Sequence, residues 1–148
     1  MGYGGDTLAL ETRLTGIKSD GTVVNDYNNP DPRTNSSVYV AGAGSWNHIV
    51  YTYNDTTRAV SLYSNGVLIS EKILQNFEKP FSFSNENVYM LVGTPAFKET
   101  GFIYSESAKD HPLNTIGITA SIDELSLLHD AMTARDILTL YHLGRAGR

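Results

Sequence analysis

Residues 46–73 restrict the fold more than any other part of the chain. Trp46-Asn47-His48-Ile49-Val50-Tyr51-Thr52-Tyr53 is dense in aromatic and β-branched side chains, which fit a pleated surface better than a helix. Asn54-Asp55-Thr56-Thr57 then turns the chain, and residues 59–64 run back. Asn65-Gly66 follows, the dipeptide best suited to a type I′ hairpin because both central residues of that turn need positive φ. Residues 67–73 form the next strand. Three consecutive strands joined by tight turns commit this region to an antiparallel sheet.

The rest of the chain follows the same grammar. Leu8, Leu10 and Leu14 recur with polar residues between them, the period of a half-buried strand. Asp20-Gly21 supplies a tight turn, and residues 22–24 make a short strand. Residues 26–37 read as a polar loop broken by Pro30 and Pro32. Residues 38–40 form a brief strand that stops at Gly42-Ala43-Gly44. Further strands are expected over 88–92 and 116–128, with a long polar loop over 94–115, a length more often functional than neutral. Only the C-terminus is helical in pattern. Thr133 can cap, Asp136 completes a capping box, and Met132 with Ile137 makes a hydrophobic staple. Ile137, Leu140 and Tyr141 share one face, and Gly144 supplies the stop. Strands followed by one short C-terminal helix predict an all-β, antiparallel β-sandwich built as a single domain over residues 1–148.

Composition removes several function classes. The chain has 148 residues, 41% hydrophobic and 18% charged, enough for one sizeable core and too apolar for disorder. Its formal net charge is -5 and it lacks a basic stripe in sequence, so no nucleic-acid partner is expected. Its apolar runs fall well short of the roughly 20 residues that insertion into a membrane as a helix requires. The absence of cysteine excludes disulfides, thiolate metal sites and cysteine nucleophiles. Residues 1–5 show neither the basic nor the apolar part of a signal peptide.

From Trp46 onward the chain resembles laminin-G-like domains of the concanavalin A-like jelly-roll class. Those domains show a Trp-x-His strand, here Trp46-Asn47-His48, and a Leu-Tyr-x-Asn-Gly hairpin, here Leu62-Tyr63-Ser64-Asn65-Gly66. Leu91-Val92-Gly93 looks like their Ile-Gly strand end. Ile122-Asp123-Glu124-Leu125 looks like their Ile-Asp-Glu-Val strand, and Met132-Thr133 with Ile137 and Tyr141 looks like their closing helix. Ala120 stands where relatives usually have glycine. The resemblance implies that Trp46 is a core residue and that His48 is a packed or hydrogen-bonded strand residue. It also implies an extracellular or cell-surface setting within a larger protein. Relatives usually begin with further strands before the segment resembling 7–24. The expectation is therefore either a shortened domain or one missing its first strands, with an open sheet edge covered by a partner chain, a second copy or a preceding segment.

Chemistry on such a fold would need convergent groups. A glycosidase needs two carboxylates on one face, whereas Asp123 and Glu124 are adjacent and on a strand would point to opposite faces. His48, His111, His129 and His142 lack metal-ligand spacing, and no Gly-x-Ser-x-Gly elbow occurs. The expectation is a non-catalytic recognition module for a glycan or protein ligand. The alternatives are a structural assembly domain and, remotely, a sandwich-type glycoside hydrolase. Aromatic residues beside amides and charges on loops mark candidate ligand contacts: Tyr27, Asn28 and Arg33 in one loop, Tyr104 and Asp110 in another. No cofactor is certain. Calcium is the one metal the resemblance suggests, with Asp123 as its candidate ligand; the competing reading is a strand-end aspartate satisfied by backbone N–H groups.

Overall fold

The computed structural model describes residues 7–9, 12–28, 39–41, 45–78, 80 and 121–147. Seven strands and one helix occupy them: β1 Thr7–Ala9, β2 Thr12–Ile17, β3 Val23–Asn28, β4 Tyr39–Ala41, β5 Ile49–Asn54, β6 Ala59–Ser64, β7 Val67–Ile73 and α1 Ala134–Ala146. All pairings are antiparallel: β1 with β4, β2 with β3, and a three-stranded sheet in the order β5-β6-β7. The chain divides into two compact units, Met1–Ser84 with Leu128–Arg148, and Asn85–Leu127. Every one of these elements belongs to the first unit.

Each tight turn forms where its sequence demands. Between β2 and β3, Gly21 takes φ +84, Gly21 N–H donates to the Lys18 carbonyl, and Lys18 N–H donates to the Thr22 carbonyl. The Asp20 carboxylate accepts from Thr22 N–H at 2.8 Å, and these hydrogen bonds with Thr22 hold its pKa below the usual value. Between β6 and β7, Asn65 and Gly66 have φ 53 and 81, the left-handed pair that a type I′ turn requires. Ile69 falls between the pairs Tyr63↔Leu68 and Leu62↔Ser70, a bulge in β7.

The core is organised around β6. Val60 and Leu62 lie on one of its faces, Ser61 and Tyr63 on the other, and all four are buried. On the Val60 side, Leu74 and Phe77 from the chain after β7 complete a cluster, with Tyr53, Leu14 and Val24 packed against it. Leu14 and Val24 come from β2 and β3, so that hairpin lies over one face of the three-stranded sheet. On the other side, Ser61 is satisfied by donating to the Glu71 carboxylate at 2.8 Å across the β6–β7 pair, as a buried hydroxyl must be. Arg58 turns with φ 60 and donates to the carbonyls of Gln75 and Phe77 at 3.0 and 3.3 Å, tying the segment after β7 back to the β5–β6 turn.

The helix is capped as expected. Thr133 Oγ1 accepts from Asp136 N–H at 3.2 Å, and the Asp136 carboxylate accepts from Thr133 N–H at 3.3 Å. Ile137 is wholly buried, and Tyr141 and Gly144, four and seven residues on, complete the half-buried stripe.

Five expectations need correction. The helix runs through Gly144 to Ala146 and ends at Gly147, whose N–H donates to the Leu143 carbonyl; a single glycine lowers helix propensity without stopping a helix that is packed. Leu140 lies off the buried stripe and is exposed. Residues 26–28 belong to β3 rather than to a loop, because their backbone pairs with residues 12–14. Residues 121–128 carry no strand: Glu124 has φ 52, a left-handed step that breaks the pleat. Trp46 is 58% exposed and not core, since the β5–β6 ladder begins three residues later, at Ile49↔Ser64. The expected strand over 88–92 and the long loop over 94–115 lie outside the described residues.

Leu62 carries the most direct test of this core. Leu62→Ala should cost about 2–5 kcal/mol in urea unfolding, whereas Thr133→Ala, which removes only the cap, should cost about 1 kcal/mol.

Candidate functional site

The residues that bind separate parts of the chain most closely surround the Asn65-Gly66 turn. Asn65 N–H donates to the His48 carbonyl at 2.8 Å, and His48 N–H donates to the Asn65 side-chain oxygen at 3.0 Å. The Asn65 amide nitrogen donates to the Asn47 side-chain oxygen at 3.1 Å. A turn residue chosen for its φ thus also uses its side chain to hold the strand lead-in at 47–48. Gly66 presses against α1. A Cβ built on it would fall 2.7 Å from Leu138 Cδ1, 3.2 Å from Tyr141 Cδ1 and 3.3 Å from Leu138 Cα; with φ +81, the position favours glycine.

His48 completes the junction. Its ring stacks on Tyr141 with centroids 6.1 Å apart and planes at 28°, within the range of favourable offset stacking. Tyr141 is also contacted by His142 at 5.5 Å, and the Arg145 guanidinium lies 5.7 Å from its ring centre. His48 Nδ1 is buried and has no hydrogen-bond partner. Burial accordingly holds its pKa below the ordinary 6.5, because the charged ring would lose hydration. The expectation of a packed strand residue holds in its packing, although His48 precedes the ladder. At the opposite end of β5, the Tyr53 hydroxyl donates to Asp55 at 3.2 Å; burial first, and that hydrogen bond second, push its pKa up to about 12, so Tyr53 stays a neutral phenol.

The sequence-derived ligand residues are not assembled into a site by the described structure. Tyr27 and Asn28 stand in β3, paired with Arg13 and Thr12, and not on a loop. Arg33, Tyr104 and Asp110 lie outside the described residues. Asp123 is exposed in the irregular segment 121–128, and among the described residues no group of three histidine or acidic side chains is placed to hold a metal ion. With no strand there, the alternation that would separate Asp123 from Glu124 does not apply; both are exposed. Sequence reasoning missed the junction itself. Its only signal was the Asn65-Gly66 dipeptide, which announces a turn but not the two segments gathered around it.

Three segments named in the laminin-G-like resemblance meet here: Trp46-Asn47-His48, the Asn65-Gly66 hairpin and the closing helix. No family model matches the chain, and no curated protein matches it. Among solved structures, it is similar to an S-layer domain-containing protein from Clostridium thermocellum, with a TM-score of 0.53 and 18% identity. The likeness covers 88% of this chain and 51% of that one, so the chain spans about half the length of the structure it matches. At this identity the likeness concerns the fold.

Two outcomes test the junction. Gly66→Ala should lose about 1–3 kcal/mol from strained φ and crowding, and Leu138→Ala in the same chain should recover the crowding part of that loss. For His48, the lowered folded pKa means that the unfolded chain takes up the proton first. Its stabilising contribution is complete above pH 6.5 and is lost as pH falls through the lower folded value. Urea midpoints should therefore drop between pH 6.5 and the carboxylate range. His48→Phe, which keeps a ring against Tyr141, should flatten that drop; an unaltered profile would assign it to other groups.

Proposed function

We propose that this chain is a non-catalytic recognition module of a cell-surface protein, built as a β-sandwich of the laminin-G-like kind. The observation that carries the reading is the likeness of 88% of the chain to part of an S-layer domain-containing protein. The packing of the β2–β3 hairpin over the β5-β6-β7 sheet supports a two-layer architecture, which in this class serves as a scaffold for loops. The Asn47 and Asn65 amides are engaged in hydrogen bonds within the junction and the His48 ring in stacking on Tyr141, which favours a structural role for these residues over a reactive one. No helix among the described residues is long and apolar enough to cross a membrane. The setting proposed, from the likeness to part of an S-layer domain-containing protein, is attachment to the surface as part of a larger protein, with a glycan or protein as ligand.

A second reading, an assembly domain, is favoured by one feature of β7. Val67, Leu68 and Ile73 are 65%, 47% and 52% exposed, apolar side chains along a strand that could be buried by a neighbouring chain.

A glycan panel probed with the purified chain, once with calcium and once with chelator, separates these readings. Binding to a defined class of polysaccharide is the expected result, and loss on chelation would bring calcium into the site. Silence across the panel together with concentration-dependent association in light scattering would favour assembly. Turnover of chromogenic glycosides would overturn the non-catalytic reading.

A further inference from the structure

Trp46 emerges from the junction with 58% of its surface exposed, one residue from the Asn47–Asn65 amide pair. Two residues on, within about 7 Å in backbone reach, His48 stacks on Tyr141. The helix beside them is unlike the chain as a whole. The protein carries a formal net charge of -5, yet α1 holds Arg135 and Arg145 against one acid, Asp136. That carboxylate is occupied in the capping box. Arg135, Leu138, His142 and Arg145 fall at i, i+3, i+7 and i+10, a single helical stripe. Leu138 fixes its direction by resting against Gly66, so the two arginines and His142, all exposed, flank the same turn from which the amide pair and the Trp46 segment depart.

We propose that this rim, where α1 meets the β6–β7 turn, binds an acidic polysaccharide. The inference rests on the reading of the chain as a recognition module and deepens it by naming the surface and the chemical class of ligand. The apolar C–H face of a sugar ring packs on an exposed aromatic side chain, and Trp46 offers the largest such surface. The Asn47 amide beside it, accepting from Asn65 and donating to the Ser45 carbonyl, holds the backbone that carries Trp46 in place. Arg135 and Arg145 pair with carboxylate groups along the polymer, and a guanidinium does so with two parallel hydrogen bonds. A neutral glycan would use the aromatic surface and leave the arginines idle; charge complementarity therefore selects the acidic class.

The test uses the whole chain with two probes, polygalacturonate as the acidic polymer and dextran as the neutral one. Polygalacturonate should bind, and binding should weaken with added salt as exposed charges are screened; dextran should not bind. Arg135→Gln alters an exposed side chain and should weaken polygalacturonate binding about two- to fivefold; Trp46→Ala removes the platform and should weaken it about tenfold, each with an unchanged far-ultraviolet circular dichroism spectrum. If both variants bind polygalacturonate as the parent does, or if dextran binds equally well, this surface is wrong while the recognition-module reading stands. If the parent binds neither probe nor any member of a wider glycan panel, both fall.

Discussion

The double-sided burial of β6 is the constraint on which the other features depend. A strand with Val60 and Leu62 on one face and Ser61 and Tyr63 on the other, all buried, needs cover on both sides and pairing along both edges. The β5-β6-β7 order supplies the pairing. The β2–β3 hairpin supplies part of the cover through Leu14 and Val24. Leu62 alone, fully buried, contributes about 1.5–3 kcal/mol by leaving water, and neighbouring buried groups act in the same direction. Such burial is retained only if the turns at the two ends of β6 are fixed. Arg58 fixes one by donating to carbonyls beyond β7, and Asn65 fixes the other by clasping residues 47–48.

The consequences for function follow from where polar groups are used. Around the Asn65-Gly66 turn the amides bond to one another and the imidazole stacks on the phenol ring, so this cluster is a fastening. A fastening of this kind orders its surroundings. It presents Trp46 outward, sets the roll of α1 through Leu138 and Tyr141, and thereby brings a basic stripe to an otherwise acidic chain. Recognition at such a rim would draw on rigidity already established by folding. The likeness to about half of an S-layer domain-containing protein concerns the fold and assigns this rim no ligand.

Local features were legible in the sequence because their causes are local. The Asp20-Gly21 and Asn65-Gly66 turns follow from the φ values those residues tolerate. The start of β7 follows from the Asn65-Gly66 turn signal, and the capping box of α1 from Thr133 and Asp136 three residues apart. Where a feature depended on a distant neighbour, the reading failed or stopped short. Gly144 carries a helix-ending propensity that packing of Ile137 and Tyr141 overrides. Asp26, Tyr27 and Asn28 have loop-like composition, but residues 12–14 pair with them. Trp46 has the hydrophobicity of a core residue, yet it precedes the first paired position. The candidate ligand residues were chosen as loop residues; Tyr27 and Asn28 proved to be strand residues, and the rest are not described.

By itself, then, the sequence determined the antiparallel hairpins, their turn types and the start of the helix, because each is settled within about four residues by backbone sterics and short-range hydrogen bonds. Tertiary structure decided that Asn65 would hold residues 47–48, that Gly66 would admit Leu138 and Tyr141, and that Trp46 would face water. Those outcomes depend on surfaces far apart in the chain competing for the same buried volume, and no local pattern encodes the winner.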